Sequence, residues 1–89
     1  MTISRHHHGK KSITLRVEGR LEAQSAERLE AECLTLLTSG HAVALDLAKV
    51  DDLDGRGAYV VRRLQDQRVR LTRCSRLVEE ALLGEWTVQ

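Results

Sequence analysis

The chain has 89 residues, which is enough for one domain. Hydrophobic residues make up 42% and charged residues 30%, a composition that excludes a disordered chain and predicts one folded domain over residues 1–89. The formal net charge is +1, and no stretch approaches the about 18 apolar residues that a membrane-spanning helix needs.

Two strands are predicted at the beginning of the chain. Residues 13–18 (ITLRVE) alternate strictly between apolar and polar side chains, as a half-buried strand does. Residues 2–5 (TISR) form a second strand in this interpretation, joined to the first by a turn at residues 8–11.

A helix is predicted from Ser25, because the period of the apolar residues changes there. The apolar residues at helical spacing are Ala26, Leu29, Cys33, Leu36 and Leu37. Ser25 is a suitable N-cap, and Gly40 stands where a helix end takes a left-handed residue.

The second half of the chain predicts a strand, a helix and another strand. Residues 43–47 (VALDL) are nearly all apolar, which indicates a buried strand, and residues 51–55 (DDLDG) are predicted as a turn. Apolar residues at helical spacing then run from Gly57 to Leu64, and residues 68–72 (RVRLT) alternate again.

One more helix is predicted near the end, capped by Ser75 and ended by Gly84, with a short final strand around Trp86 and Val88. Without the final strand, the predicted elements follow the order ββαβαβα. The strand–helix–strand unit predicts a right-handed parallel crossover, hence a small mixed sheet in an α/β fold with helices on one face or on both.

The segment of residues 46–57 (DLAKVDDLDGRG) leads from a buried strand into a helix, where α/β proteins often bind ligands. A calcium loop would need ligands at Val50 and Val61, and a dinucleotide loop would need glycine or alanine at Val60, so both are rejected. Two interpretations remain. Arg56 and the helix N-terminus would bind an anion, or Asp54 and the glycines only shape the turn.

Catalytic, cofactor and metal sites are not expected. Three consecutive histidines, residues 6–8, cannot all face one ion, and His41 has no nucleophile placed by a motif. Cys33 is interpreted as a core residue. Because Cys33 and Cys74 lack CxxC spacing and no secretory signal precedes them, we expect reduced thiols in a cytoplasmic protein.

The basic charge is concentrated late in the chain. Residues 1–55 carry 7 basic and 9 acidic groups, whereas residues 56–89 carry 7 and 4. Seven arginines lie between Arg56 and Arg76, against the single acid Asp66. We interpret them as a solvated face with ion pairs to the acidic helix, and not as a nucleic-acid site, because aromatic stacking residues are missing.

Three motifs together resemble the STAS family of anti-sigma factor antagonists. That family reads D-L-S-x-V-x-x-[ILV]-D-[ST]-[ST]-G where this chain has residues 46–57. Residues 17–21 (VEGRL) are similar to its L-x-G-x-L strand end, and residues 73–78 (RCSRLV) to the start of its last helix. The resemblance covers about residues 12–83 and implies a STAS-like fold.

The resemblance also implies a phosphorylation switch that this chain lacks. In the family's antagonists a partner kinase phosphorylates the second hydroxyl residue of the loop, which here is Arg56, and Gly55 replaces the first. No Ser or Thr occurs between Ser39 and Thr72. The resemblance therefore implies a bacterial, non-catalytic module whose switch is degenerate.

We expect this module to bind a protein partner, either an anti-sigma factor kinase or a transporter subunit, without membrane insertion. The expected contact residues lie in the loop and the following helix: Asp54, Gly55, Arg56, Gly57, Arg62 and Arg63. The alternative is a STAS-like subunit that binds a small anion or a lipid headgroup at the helix N-terminus. Whether the chain forms a homodimer is left open.

Overall fold

The computed structural model describes residues 1–83, and the predicted helix end at Gly84 and the predicted strand at Trp86 and Val88 lie outside them. The elements are β1 (Thr2–His7), β2 (Ser12–Leu21), α1 (Ala23–Thr38), β3 (Ala42–Leu53), α2 (Gly55–Asp66), β4 (Arg70–Cys74) and α3 (Arg76–Leu82). The predicted order ββαβαβα is confirmed.

The four strands form one mixed sheet in the order β1-β2-β3-β4. β1 runs antiparallel to β2, whereas β3 pairs in parallel with β2 on one side and with β4 on the other. Both the predicted hairpin and the predicted parallel crossover are therefore present. The hairpin turns at Gly9, whose φ of +100° is one that glycine adopts without steric cost.

The core lies between one face of the sheet and the three helices, which pack against each other as α1 on α2 and α2 on α3. Alternate residues of the central strands, which β2 and β3 supply, are buried there: Ile13, Leu15, Val17, Val43, Leu45 and Leu47. Helix α1 adds the residues that its periodicity predicted, with Leu29 and Cys33 fully buried. Cys33 is thus a core residue, as predicted.

Strand β3 is longer than predicted. It continues through Asp51 and Asp52 to Leu53, so the predicted turn at residues 51–55 is wrong. The extension exists because the end of β2 offers it a partner, with Gly19 opposite Val50 and Leu21 opposite Leu53. Strand β4 lies two residues later than the alternation predicted, at Arg70–Cys74.

The predicted helix ends are correct at Gly40 and Ser75 and wrong at the beginning of α1. The N-cap of α1 is Glu22, so the prediction of Ser25 as the N-cap is wrong. Ser25 instead occupies the third helical position of a capping box, where its Oγ accepts a hydrogen bond from the Glu22 amide at 3.0 Å. Gly40 has the expected positive φ of +87°, and the Oγ of Ser75 accepts from the Val78 amide as predicted.

No helix among residues 1–83 is long and apolar enough to span a membrane.

Candidate functional site

The candidate site lies where β2 and β3 end and where α1 and α2 begin. Asp54, the residue between β3 and α2, joins both helices. Its Oδ1 accepts a hydrogen bond from the Gly57 amide at 2.7 Å, and its Oδ2 accepts one from the Ala23 amide, the first residue of α1, at 3.2 Å. One carboxylate therefore caps α2 and also contacts the beginning of α1. The predicted capping role of Asp54 is confirmed.

The two glycines of the loop have different roles. A Cβ on Gly57 would lie 2.1 Å from the carbonyl oxygen of Leu21 and 2.8 Å from the Leu53 side chain, so no larger residue fits there. A Cβ on Gly55 would meet nothing within 4 Å. Of these two glycines, only Gly57 is required by the close approach of α2 to the end of β2.

The Asp54 carboxylate bears directly on the anion-binding interpretation. A helix N-terminus attracts anions through its free amides and its partial positive charge. Here a carboxylate already accepts from the Gly57 and Ala23 amides and brings its own negative charge. An anion would have to displace Asp54, so this arrangement disfavours a small-anion or headgroup site at this helix end.

The exposed side of α2 carries Arg56, Tyr59 and Arg63 in a row. The Arg56 guanidinium lies 5.4 Å and that of Arg63 5.6 Å from the centroid of the Tyr59 ring, so both cations are within cation–π distance of it. Tyr59 is nevertheless 48% exposed, and Leu77 and Leu83 are the other exposed large hydrophobic residues among residues 1–83. The Tyr59 hydroxyl, and after it the Glu30 carboxylate, raises the pKa of Arg63.

Two ion pairs connect this row to α1. Arg56 Nη2 lies 3.8 Å from Glu27 Oε2, and Arg63 Nε lies 3.1 Å from Glu30 Oε2. The expected pairing of these arginines with the acidic helix is confirmed. Glu27 is well exposed, so its pair with Arg56 is worth little and is open to exchange.

Arg62 is not part of the row. Its Nη2 donates a hydrogen bond to the carbonyl oxygen of Ala81 in α3 at 3.1 Å, on another side of α2. Of the other five predicted contact residues, three lie together in the loop and at the helix start: Asp54, Gly55 and Arg56. Gly57 is buried beneath them. Arg63 lies further along α2, where its Nη1 donates a hydrogen bond to the Tyr59 hydroxyl at 3.5 Å. The sequence analysis did not select Tyr59, although its spacing of three from Arg56 and four from Arg63 indicated one helix face.

The Cys33 thiol is buried and poorly suited to nucleophilic chemistry. Burial is the main cause that raises the pKa of the Cys33 thiol to about 12, and the nearby Glu32 and Glu30 add to it. Such a thiol is not a nucleophile at neutral pH. Within residues 1–83, no three His, Cys, Asp or Glu side chains are placed to hold a metal ion.

Comparison with known proteins identifies the fold. No family model and no curated protein matches the chain. Among solved structures, the anti-sigma factor antagonist SpoIIAA in its unphosphorylated form is similar with a TM-score of 0.68 and 15% identity, over 93% of this chain and 83% of that one. A protein of the DUF3478 family with a SpoIIAA-like fold, from Shewanella loihica PV-4, is similar with a TM-score of 0.56 and 17% identity, over 97% and 77% of the two chains.

A protein named Mglu is also similar, with a TM-score of 0.58 and 26% identity over 81% of this chain, but the match spans only 18% of Mglu. The chain thus has the STAS-like fold of SpoIIAA, and the expected α/β architecture is confirmed at the level of the fold.

Proposed function

We infer that the chain is a non-catalytic regulatory module that binds a protein partner through the α2 docking surface, defined as Asp54, Gly55, Arg56, Tyr59 and Arg63. The observation that carries this proposal is the half-exposed Tyr59 ring with two guanidinium groups within about 6 Å of its centroid. Tyrosine and arginine are the residue types most enriched at the energetic centres of protein interfaces.

The rigidity of this surface supports the same proposal. Asp54 holds the loop to two helices, and Glu30 holds Arg63, so the side chains lose little freedom when a partner binds. The loop itself offers a partner an open backbone at Gly55, where nothing lies within 4 Å of an added Cβ. A pre-organised, amphipathic surface of this kind suits a protein better than a small substrate.

The fold supports a regulatory role. SpoIIAA is an anti-sigma factor antagonist with an unphosphorylated form. By the resemblance of residues 46–57, Arg56 takes the place of the phosphorylated residue. Arg56 has the opposite charge to a phosphate and no hydroxyl to phosphorylate, so we propose that binding here does not depend on hydroxyl phosphorylation in this loop. Acidic groups on the partner would replace Glu27 beside Arg56.

Site-specific photocrosslinking in cells of the source organism tests this proposal. A photoreactive phenylalanine derivative at position 59 is expected to crosslink to a defined protein, identified by mass spectrometry. The same residue at position 77, on α3 and also exposed, is the matched control. Equal crosslinking to the same proteins from both positions would contradict a docking role for α2.

Charge reversal provides the second readout. Arg56→Glu is expected to weaken binding of the crosslinked partner by about tenfold to a hundredfold, because a favourable charge pair becomes a repulsive one. Arg76→Glu makes the same charge reversal at the start of α3, where the arginine side chain is 90% exposed, and should leave the affinity for the partner unchanged. Both variants should keep the wild-type circular dichroism spectrum. An unaltered affinity of Arg56→Glu would refute the assignment of this surface.

A further inference from the structure

Basic side chains gather at the end of the molecule opposite Asp54 and the beginning of α2. The register aligns the beginnings of the parallel strands, with Ser12 opposite Ala42 and Ala44 opposite Arg70. The turns before these strands meet at one edge, and the Ala42 amide donates to the Lys11 carbonyl at 2.7 Å. We name the exposed basic residues at this edge the basic end: Lys10, Lys11, Arg68 and Arg70.

Little acidic charge opposes the basic end. The helix ends and turns of residues 1–83 that meet at this edge contribute one carboxylate, that of Asp66 at the end of α2. None of the four basic side chains forms an ion pair with a carboxylate within the described part of the chain. Exposed His7, His8 and half-exposed His41 complete the edge, and His7 lies within β1 opposite Ile13.

The two exposed aspartates near the end of β3 lie at the other end of the molecule, too far away to cancel this charge. Asp51 and Asp52 follow Ala42 by about ten residues of β3, a separation of about 33 Å at about 3.3 Å per residue. The long axis of the molecule, 42 Å against 22 Å for the others, accommodates this distance. Since the screening length at physiological salt is about 8 Å, the two ends act independently.

The shape of the basic end favours a flat anionic surface over a nucleic acid. Three of the four charges come from turns and the fourth, Arg70, from the start of β4, and in the part of the chain that the structure describes no helix projects from this end into a groove. Bases stack on aromatic rings, and within residues 1–83 the one Phe, Tyr or Trp ring, that of Tyr59, lies near the start of α2, away from this end. A membrane with anionic lipids needs neither feature, only several basic groups that face the same way.

We propose that the basic end attaches the protein to anionic membrane surfaces by electrostatic contact with lipid headgroups, without insertion. Each basic side chain near such a surface increases partitioning about fivefold, so four give an affinity on the order of 10³ M⁻¹ at low salt. Attachment at this end directs Asp54 and the beginning of α2 away from the membrane, so a partner would reach the α2 docking surface unobstructed.

Sedimentation of the purified full chain with lipid vesicles tests the proposal. The two probes are vesicles of phosphatidylcholine alone and vesicles that contain about 30% phosphatidylglycerol, each at 50 mM and 300 mM salt. We expect binding to the anionic vesicles at low salt, loss of most of it at high salt, and no binding to neutral vesicles at either salt concentration.

Two variants with the same net charge locate the contact. The test variant is Lys10→Gln, Lys11→Gln, Arg68→Asn, in which asparagine suits the positive φ of 73° at position 68. The control variant neutralises three arginines elsewhere on the exposed surface: Arg20, Arg28 and Arg76, each to Gln. The test variant should lose about a hundredfold in partitioning and the control variant little, while both keep the wild-type melting temperature within a few degrees.

Three outcomes would overturn the proposal. They are no binding of the wild type to anionic vesicles at 50 mM salt, equal losses in the two variants, and tighter binding to a 20-base-pair DNA duplex or to a second copy of the chain than to the anionic vesicles. A duplex and a concentration series in analytical ultracentrifugation are therefore included as competing probes. The α2 docking surface is untouched in the test variant, so its crosslinks at position 59 report separately on the proposed function.

Discussion

Replacing Asp54 by alanine removes one carboxylate from the beginnings of two helices. Loss of the cap of α2, the 2.7 Å hydrogen bond from the Gly57 amide, costs about 1 kcal/mol. Loss of the 3.2 Å bond from the Ala23 amide, which is solvent-exposed, adds about 0.5–1 kcal/mol. We therefore expect Asp54→Ala to lower the free energy of unfolding by about 2 kcal/mol, or the melting temperature by roughly 8–16 °C.

Asp52→Ala is the matched control, because Asp52 is also an exposed acid at this end. Its carboxylate accepts only from the adjacent Leu53 amide and lies 3.9 Å from Arg20, so its loss should cost less than about 0.5 kcal/mol. Urea denaturation followed by circular dichroism measures both. Equal stabilities of the two variants would refute the reasoning that Asp54 connects the helices.

A double-mutant cycle isolates the contact between Asp54 and α1. Ala23→Pro removes the amide donor and places proline at the first helical position, where it is favoured. Glu22 is already extended, with φ −118° and ψ −179°, as a residue before proline must be. We expect a coupling energy of about 0.5–1 kcal/mol between Ala23→Pro and Asp54→Asn, and a value of zero would mean that the contact contributes nothing.

Three further predictions concern the glycines and cysteines. Gly57→Ala should destabilise the fold by about 3 kcal/mol in urea denaturation, since its Cβ meets the Leu21 carbonyl, whereas Gly55→Ala should be neutral or stabilising. Because burial raises the pKa of Cys33 from 9.0 to about 12, its thiol ionises first in the unfolded chain, so stability should fall above pH 9 by up to about 1.4 kcal/mol per unit. Cys33→Ala should flatten that slope, measured by urea denaturation at pH 8–11. Iodoacetamide at pH 8 should modify the half-buried Cys74 slowly and Cys33 only after unfolding, as peptide mass spectrometry would report.

Local rules predicted most of the fold but failed where a distant partner decides the structure. The roles of three residues at helix ends depend only on neighbours within one helical turn, and all three were predicted correctly: Asp54 and Ser75 as N-caps and Gly40 as the left-handed residue after α1. The extension of β3 through Asp51 and Asp52 depends on the end of β2, some 30 residues earlier. Two consecutive aspartates favour a turn when only neighbouring residues are considered, so the sequence did not reveal the strand there.

The same division holds at the candidate site. The sequence identified the loop from Asp54 to Gly57, because its motif is contiguous. It could not foresee that Asp54 would reach Ala23 across 31 residues, which is the contact that opposes anion binding. Nor could it separate Arg62 from Arg63, since their different partners, in α3 and α1, follow from the packing of three helices.

The two proposed surfaces differ in their dependence on salt. On the α2 docking surface, Arg56 and Arg63 each have a glutamate of α1 within 4 Å, so the local net charge is close to zero. Binding there should rest on the Tyr59 ring as well as on the exchange of ion-pair partners, so its affinity should fall much less between 50 mM and 300 mM salt than that of the basic end. The basic end has no such compensation, and several unopposed charges make its binding steeply salt-dependent. Raising the salt should therefore release the protein from membranes while crosslinks at position 59 persist, and simultaneous loss of both would mean that one surface serves both contacts.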